Sequence, residues 1–228
     1  MFDQFQIIAH RGWPAKYPEN TILSFDKAIE AGATMIEFDV QITQDDRLII
    51  FHDETAKRLC DRNLKIGLVD SPSIDSLTVQ DQPVPYLSDV LDKYHTDINY
   101  YVELKTFKTT PPDKKIKLAH YTVNEIFKRG LQKNCLVVVW EEQMLNVCRK
   151  LGHTNVGLNF TTIDKPCRSK VSCRDHTTIK SEVNELTFAW TVNNAKRMKT
   201  LIDKKVNGIV TDHVDKLVNI CNTSTVNA

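Results

Sequence analysis

Residues 6–42 decide the fold class, and they read QIIAHRGWPAKYPENTILSFDKAIEAGATMIEFDVQI. The apolar runs at residues 6–10 and 35–42 are typical of buried strands. Between them, apolar side chains recur at the spacing of one helix face, at Ile22, Phe25 and Ile29. Asn20 is placed to cap the start of this helix and Gly32 to end it. A strand, a helix and a second strand in this order predict two parallel strands joined by a crossover helix.

The same alternation continues to the end of the chain. Further apolar strands are predicted at 47–53, 100–105, 135–140, 156–160, 186–192 and 208–212. Helical patterns separate them, except between the second and third strands, where Gln44, Asp45 and Asp46 indicate a turn and no helix fits. About eight such units predict an α/β fold, a TIM-type (β/α)8 barrel. An open doubly wound sheet is the alternative, and the absence of a Gly-x-Gly-x-x-Gly turn disfavours it.

Two stretches depart from this regular pattern. Residues 54–85 have no steady period and contain Pro72, Pro83 and Pro85, so they are interpreted as a short irregular insertion. Residues 161–184 are polar and irregular, with a short strand near Val171 as an alternative reading. Neither stretch indicates a second domain, and we expect residues 1–228 to form one barrel domain.

The composition excludes several classes of protein. The chain has 228 residues, of which 41% are hydrophobic and 26% charged, so a globular protein with a core is expected. Lys and Arg number 30 against 29 Asp and Glu, which lacks the basic surplus of a nucleic-acid binder. No signal peptide is visible, and no run approaches the ~18 apolar residues of a membrane helix. The sequence says nothing about the oligomeric state.

The cysteines indicate a reducing compartment. Six are scattered along the chain without a Cys-x-x-Cys pair, at positions 60, 135, 148, 167, 173 and 221. Scattered thiols of this kind favour a cytoplasmic protein with reduced, structural cysteines. A disulfide between Cys167 and Cys173 is the minor alternative.

Charged side chains at the predicted strand ends suggest chemistry. Histidines follow the first and third strands, while Glu37 and Asp39, and likewise Glu103 and Lys105, share one strand face at i, i+2 spacing. Uncompensated charges are costly to bury, so these residues call for a metal and an anionic ligand. Carboxylate ligands favour Mg²⁺, Ca²⁺ or Mn²⁺ over Zn²⁺. In a parallel barrel such a site lies at the C-terminal ends of the strands.

The order of these motifs resembles that of the glycerophosphodiester phosphodiesterase family, whose fold is a phospholipase C-like phosphodiesterase barrel. The chain has His-Arg-Gly at 10–12, Pro-Glu-Asn-Thr at 18–21, Ile-Glu-x-Asp-Val at 36–40 and His-Asp at 52–53. VELK, WTVN (190–193) and GIVTD resemble later strands of the family, so the likeness spans nearly the whole chain. Trp140 departs from it, because the family's fifth strand often ends Ser-Phe.

The resemblance implies a role for each site residue. Glu37, Asp39 and Glu103 would bind one divalent cation, Mg²⁺ or Ca²⁺, with Mn²⁺ as a further candidate. His10 and His52 would be the catalytic acid/base pair. Arg11 and Lys105 would bind the phosphate, and Trp190 would pack against the glycerol or the leaving group, unless it is a core tryptophan. Glu19 is interpreted as a charge partner, with Arg11 as the candidate.

The implied activity is metal-dependent hydrolysis of small-molecule glycerophosphodiesters to sn-glycerol 3-phosphate and an alcohol. One alternative keeps the fold and shifts the substrate to lysophospholipids, as in a lysophospholipase D. A second is a catalytically silent binding barrel. Silent relatives are expected to have lost a metal carboxylate or a histidine, whereas all five positions are intact here.

Overall fold

Eight parallel strands close into a barrel in the computed structural model, which describes residue 2, residues 4–161 and residues 170–225. In chain order the strands are β1 (Gln6–Ala9), β2 (Met35–Ile42), β3 (Leu48–Ile50), β4 (Thr78–Val79), β5 (Gln82–Pro83), β6 (Asn99–Leu104), β7 (Cys135–Val139), β8 (Val156–Phe160), β9 (Val171–Asp175), β10 (Leu186–Trp190) and β11 (Gly208–Thr211). The barrel order is β1-β2-β6-β7-β8-β9-β10-β11, and β11 pairs with β1 to close it. The predicted α/β barrel is confirmed.

The helices follow the strands as the sequence predicts. They are α1 (Ile22–Glu30), α2 (Lys57–Cys60), α3 (Ser71–Asp75), α4 (Leu87–Tyr94), α5 (Pro112–Lys128), α6 (Glu142–Lys150), α7 (Ala195–Asp203) and α8 (Val214–Thr225). Most of the buried apolar side chains lie between the strands and the longer helices. None of the helices in the described part of the chain is both long enough and apolar enough to cross a membrane.

The hairpin of β2 and β3 changes which strands form the barrel, although their number stays at eight. β3 runs antiparallel to β2, with Ile50 opposite Val40 and Leu48 opposite Ile42, and it lies outside the barrel. The prediction that no helix separates these strands is confirmed. The expectation that the third strand belongs to the parallel barrel was wrong. A connection of a few residues can join only antiparallel strands, whereas neighbouring parallel strands need a longer crossover. β9, considered only as a short strand near Val171, supplies the missing barrel strand.

The insertion at residues 54–85 is compact and has local structure. It contains α2, α3, a 3-10 turn at Ile66–Leu68 and the β4–β5 hairpin. These elements cover a small apolar cluster of their own, to which β3 contributes Ile49 and the insertion contributes Ala56, Ile66, Ile74, Leu77, Val79 and Val84. The insertion is therefore anchored to the barrel through β3.

The irregular stretch at 161–184 is described only in part. Residues 162–169, including Cys167 of the alternative disulfide, lie outside the described residues. After β9, a single 3-10 turn at His176–Thr178 precedes β10. The described connection from β9 to β10 therefore contains no α-helix, in keeping with the irregular pattern of this stretch.

The interior of the barrel is apolar at its base. Ile8, Met35, Tyr101, Val138 and Phe188 are among the side chains buried there. Because alternate residues of a strand point the same way, Met35 shares its face with the next two odd positions of β2. Because of this alternation, the side chains of Glu37 and Asp39 point into the barrel above the apolar layer.

Candidate active site

All eight predicted site residues meet at the C-terminal end of the barrel. Seven of them line one cavity of about 170 Å³: His10, Arg11, Glu37, His52, Glu103, Lys105 and Trp190. The eighth, Asp39, is paired in register with Glu103 on the neighbouring strand and contacts Arg11 and Lys105. The strand ends therefore assemble the site as the sequence predicts.

Three carboxylates form the negative centre of the cavity. One oxygen from each of Glu37, Asp39 and Glu103 lies within 4.8 Å of the other two, and these residues are at most 9% exposed. Burial, reinforced by the charge of Asp39, raises the pKa of Glu37 to about 8. The raised pKa of Glu37 means that ionising all three carboxyl groups together is costly, and a bound cation would lower that cost. The all-oxygen donor set fits a hard divalent cation.

Two cationic side chains flank the carboxylates. Arg11 Nε lies 3.3 Å from Asp39 Oδ2, while Lys105 Nζ lies 3.1 Å from Asp39 Oδ1 and 2.5 Å from Glu103 Oε1. Burial acts to raise the pKa of Asp39, but the charges of Lys105 and Arg11 outweigh it and hold that pKa below its usual range. Arg11 and Lys105 remain charged and line the cavity, so they present positive charge to an anionic ligand.

The loop after β1 is fixed by backbone geometry. Arg11 and Gly12 both have positive φ, and a Cβ on Gly12 would lie 2.3 Å from Ser24 Oγ, so glycine is required there. The turned backbone directs the Arg11 N–H to Glu37 Oε2 at 2.7 Å. This hydrogen bond ties the loop to the carboxylate cluster.

Asn20 serves the site and does not cap α1. Thr21 is the N-cap, and its side-chain oxygen accepts from the Ser24 N–H at 3.2 Å. Asn20 instead adopts a φ of 56° and donates from Nδ2 to Asp39 Oδ2 at 2.9 Å. The sequence-based capping assignment was wrong by one residue, because both side chains are good caps and only the backbone conformation separates them.

Each catalytic histidine candidate is oriented by a carboxylate. His10 Nδ1 lies 2.6 Å from Asp212 Oδ1, and His52 Nδ1 lies 2.6 Å from Asp53 Oδ1. A carboxylate only accepts, so in each neutral ring Nδ1 carries the proton and Nε2 the lone pair. Asp212 was not singled out from the sequence, although its position directly after the last strand is a usable signal.

The two histidines differ in their electrostatic surroundings. Burial acts to lower the pKa of His10, but the hydrogen bond to Asp212 and the charge of Glu37 raise it above its ordinary value. Burial also acts on His52, and there the charges of Lys105 and Arg11 add to it, so the pKa of His52 is lowered. One imidazole therefore tends to keep a proton and the other to release it, as an acid/base pair requires.

Arg58 of the insertion lies beside this site, and no sequence pattern singled it out. Arg58 contacts both Asp53 and Glu19, and Glu19 in turn accepts from Arg11 Nη1 at 2.9 Å. The predicted pairing of Glu19 with Arg11 is confirmed.

Two tryptophans form one wall of the cavity. Trp140 and Trp190 meet edge to face with ring centroids 5.5 Å apart, and Trp140 is 41% exposed. Trp140 Nε1 donates to Glu103 Oε1 at 3.0 Å, an interaction that phenylalanine lacks. Trp190 Nε1 has no hydrogen-bond partner among the residues described. Trp190 also lines the cavity, where it can contact a ligand.

Comparison with known proteins agrees with this geometry. The model of the glycerophosphoryl diester phosphodiesterase family matches residues 10–180, three-quarters of the chain, including every predicted site residue except Trp190. The chain belongs to this family. Membership confirms the predicted enzyme class, a glycerophosphodiester phosphodiesterase, which is a phosphoric diester hydrolase.

Relatives of the glycerophosphoryl diester phosphodiesterase family align along nearly their full length. A glycerophosphodiester phosphodiesterase of Bacillus altitudinis is 28% identical over 250 residues, with 94% of this chain and 97% of that protein covered. The solved enzyme from Parabacteroides distasonis has a TM-score of 0.84 at 22% identity and covers 97% of this chain and 99% of its own. A phosphodiesterase from Oleispira antarctica, solved with its product sn-glycerol-3-phosphate, has a TM-score of 0.83 at 19% identity, with coverage of 95% and 96%. These structures share the fold of this chain.

Proposed function

We propose that this enzyme hydrolyses glycerophosphodiesters in a metal-dependent reaction that yields sn-glycerol 3-phosphate and an alcohol. One observation carries the proposal. Three buried carboxylates, two cationic side chains and two carboxylate-oriented histidines surround one cavity. Cleavage of a phosphodiester requires neutralisation of the negative charge on the phosphate oxygens. It also requires proton transfer at the attacking and leaving oxygens, and this set of residues supplies both.

Glu37, Asp39 and Glu103 are the proposed ligands of one divalent cation, Mg²⁺ or Ca²⁺, with Mn²⁺ as a further candidate. Their oxygens lie within 4.8 Å of one another, close enough to share one ion. When bound, the cation would polarise a phosphate oxygen and lower the pKa of the attacking hydroxyl.

Arg11 and Lys105 are the proposed phosphate-binding residues. Their side chains are 17% and 15% exposed and keep their charge beside the carboxylates. Because these side chains are largely shielded from solvent, their attraction for a phosphate is stronger than on an open surface. Trp190 is proposed to pack against the glycerol or the leaving group.

His10 and His52 are the proposed acid/base pair. The lowered pKa of His52 favours it as the base that takes the proton of the attacking hydroxyl. The raised pKa of His10 favours it as the acid that protonates the departing alcohol. Attack by the glycerol 2-hydroxyl would give a cyclic phosphate, which water then opens with the roles reversed. Direct attack by water would use the same residues.

An assay of the purified protein on glycerophosphocholine tests the proposal. Activity should disappear after chelation and return with Mg²⁺, Ca²⁺ or Mn²⁺, and the phosphorylated product should be sn-glycerol 3-phosphate. Lysophosphatidylcholine is the competing substrate in the same assay, and a clear preference for it would replace the proposed substrate. Turnover of neither compound would leave the chain as a silent barrel.

We also propose a reducing, cytoplasmic setting for this enzyme. Cys135 and Cys148 are buried free thiols, and burial raises the pKa of Cys148 to about 12, which keeps it protonated and inert. Mass spectrometry with and without reductant should show six reduced cysteines in protein prepared under mild conditions. A stoichiometric disulfide would contradict a cytoplasmic location.

A further inference from the structure

We propose that Arg58, which lies outside the cavity, is a positioning residue that holds His52 in its working orientation through Asp53. The inference rests on the proposed function, because it assigns the part that the insertion plays in that reaction. The insertion thereby becomes part of the catalytic apparatus through one guanidinium.

The geometry of Arg58 is that of a double clamp. Towards Asp53 it donates from Nε to Oδ2 at 2.6 Å and from Nη2 to Oδ1 at 2.9 Å. Towards Glu19 it donates from Nη1 to Oε2 and from Nη2 to Oε1, both at 2.8 Å. Two bidentate pairs fix the plane of the guanidinium, a geometry that lysine cannot reproduce.

Asp53 transmits this constraint to the imidazole. Its Oδ1 is shared between Arg58 Nη2 and His52 Nδ1. Burial acts to raise the pKa of Asp53, but the hydrogen bonds from Arg58 and His52 lower it to about 2, so the carboxylate stays ionised. An ionised, clamped carboxylate keeps the proton of His52 on Nδ1 and leaves the lone pair of Nε2 free to act as a base.

The other half of the clamp reaches the phosphate-binding side. Glu19 is 13% exposed and bridges Arg58 and Arg11. A single chain of contacts thus runs from His52 through Asp53, Arg58 and Glu19 to Arg11. The proposed base and one proposed phosphate ligand therefore share a common support.

A purely structural role accounts poorly for this arrangement. The Arg58 side chain is 48% exposed, so solvent screening limits what its ion pairs add to folding stability. Lys57, its neighbour on α2, provides the comparison, because it forms an exposed pair with Asp61 that touches nothing in the site. Ala56, at the start of α2, is fully buried in the cluster of the insertion, so α2 has an anchor besides the clamp.

The test compares Arg58→Gln and Arg58→Lys with the control Lys57→Met, each in the full chain with metal present. With glycerophosphocholine, Arg58→Gln should lower kcat by about 10–100-fold, the usual cost of losing an outer partner of a site residue. KM and the melting temperature should stay near those of the wild type, because Arg11 keeps its own hydrogen bond to Glu19 when Arg58 is replaced. In Arg58→Lys the ammonium group can reach only one carboxylate at a time, so its kcat should lie between those of the wild type and Arg58→Gln. The control Lys57→Met should match the wild type.

A double-mutant cycle with Asp53→Asn identifies the route of the effect. If Arg58 acts through Asp53, Arg58→Gln should cause no further loss of kcat in the Asp53→Asn protein. An equal loss in both backgrounds, or a raised KM at unchanged kcat, would overturn the proposal.

Nitrogen NMR of the His52 ring gives a readout that does not need turnover. The neutral ring should be a single Nδ1–H tautomer in the wild type and in Lys57→Met, and a mixture in Arg58→Gln. If the wild type lacks activity, the proposed function fails. The comparison of tautomers by NMR then still tests whether Arg58 positions His52. A single Nδ1–H tautomer in Arg58→Gln, as in the wild type, would refute the positioning role of Arg58.

Discussion

The substitution Asp212→Asn should disable His10 while leaving the barrel intact. Asp212 Oδ1 lies 2.6 Å from His10 Nδ1, and Asp212 Oδ2 accepts from Asn193 Nδ2 at 2.6 Å. The Asn193 amide cannot turn freely, because its Oδ1 accepts from the Asp212 backbone N–H at 3.0 Å and from Thr211 Oγ1 at 3.1 Å. The substituted amide must keep its oxygen towards Asn193, so its NH₂ group faces His10.

The size of the effect follows from the lost hydrogen bond. A hydrogen bond to a charged group contributes about 1.5–3 kcal/mol. The side chains of His10 and Asp212 are 18% and 28% exposed, which favours the lower end of that range. At about 1.4 kcal/mol per pKa unit, the pKa of His10 should fall by about one unit. The NH₂ group facing Nδ1 further disfavours the protonated ring.

The sign of the pH effect can be worked out from the raised pKa of His10. Activity that needs protonated His10 is present below its pKa and is lost as the pH rises through it. Asp212→Asn should therefore move the alkaline limb of the kcat profile to lower pH by about one unit, and on that limb it should lower kcat by up to about 10-fold.

The assay is kcat on glycerophosphocholine as a function of pH, with Asp212→Asn/Asn193→Ala as the matched control. Removal of the Asn193 donor lets the amide oxygen turn to His10, so the double variant should regain part of the lost activity. An unmoved alkaline limb with near-normal kcat would refute the role of His10 as the acid. A double variant no better than the single one would refute the amide argument.

Three further predictions follow from the same site. His10→Ala or His52→Ala should lower kcat by about 10²–10⁴-fold with unchanged circular dichroism, and near-normal turnover would remove that histidine from the chemistry. Glu37→Gln, Asp39→Asn and Glu103→Gln should each weaken divalent-cation binding measured by calorimetry, because each removes a charged oxygen ligand, and full activity in excess chelator with no metal bound would contradict the site. We expect the compact insertion at 54–85 and the irregular stretch at 161–184 to make few contacts with the alcohol beyond the phosphate. The values of kcat/KM for glycerophosphocholine, glycerophosphoethanolamine and glycerophosphoinositol should therefore lie within about tenfold of one another, and a much larger preference would mean a selective pocket.

The barrel and the residues at its strand ends could be predicted because both follow from local pattern. Glu37 and Asp39 lie two apart on one strand, and parallel strands end at the same side of a barrel, so their meeting with Glu103 needs no knowledge of the loops. The β2–β3 hairpin shows the limit of the pattern. An apolar run predicts a strand, whereas its direction depends on the length of the connection before it.

Arg58 and Asn193 could not be assigned from the sequence for a different reason, and for Asp212 the only signal was its position directly after the last strand. Each role depends on pairing with one particular side chain, such as His10 for Asp212 and Asp53 for Arg58, and a lone Asp, Arg or Asn has many ordinary roles on a surface. Arg58 also lies in an insertion without periodicity, so its direction is set by the packing of the apolar cluster around Ala56. Such contacts are set by tertiary packing and leave no local signature.

The hydrogen bond between His10 and Asp212 joins side chains 202 positions apart, one after the first barrel strand and one after the last. During synthesis on a ribosome, His10 is made early, but it can contact Asp212 only after β11 has been made and paired with β1. A partly folded barrel can bury much of its apolar surface and still lack this contact. The onset of turnover during refolding should therefore lag behind the gain of secondary structure and mark the moment at which the ring of strands closes.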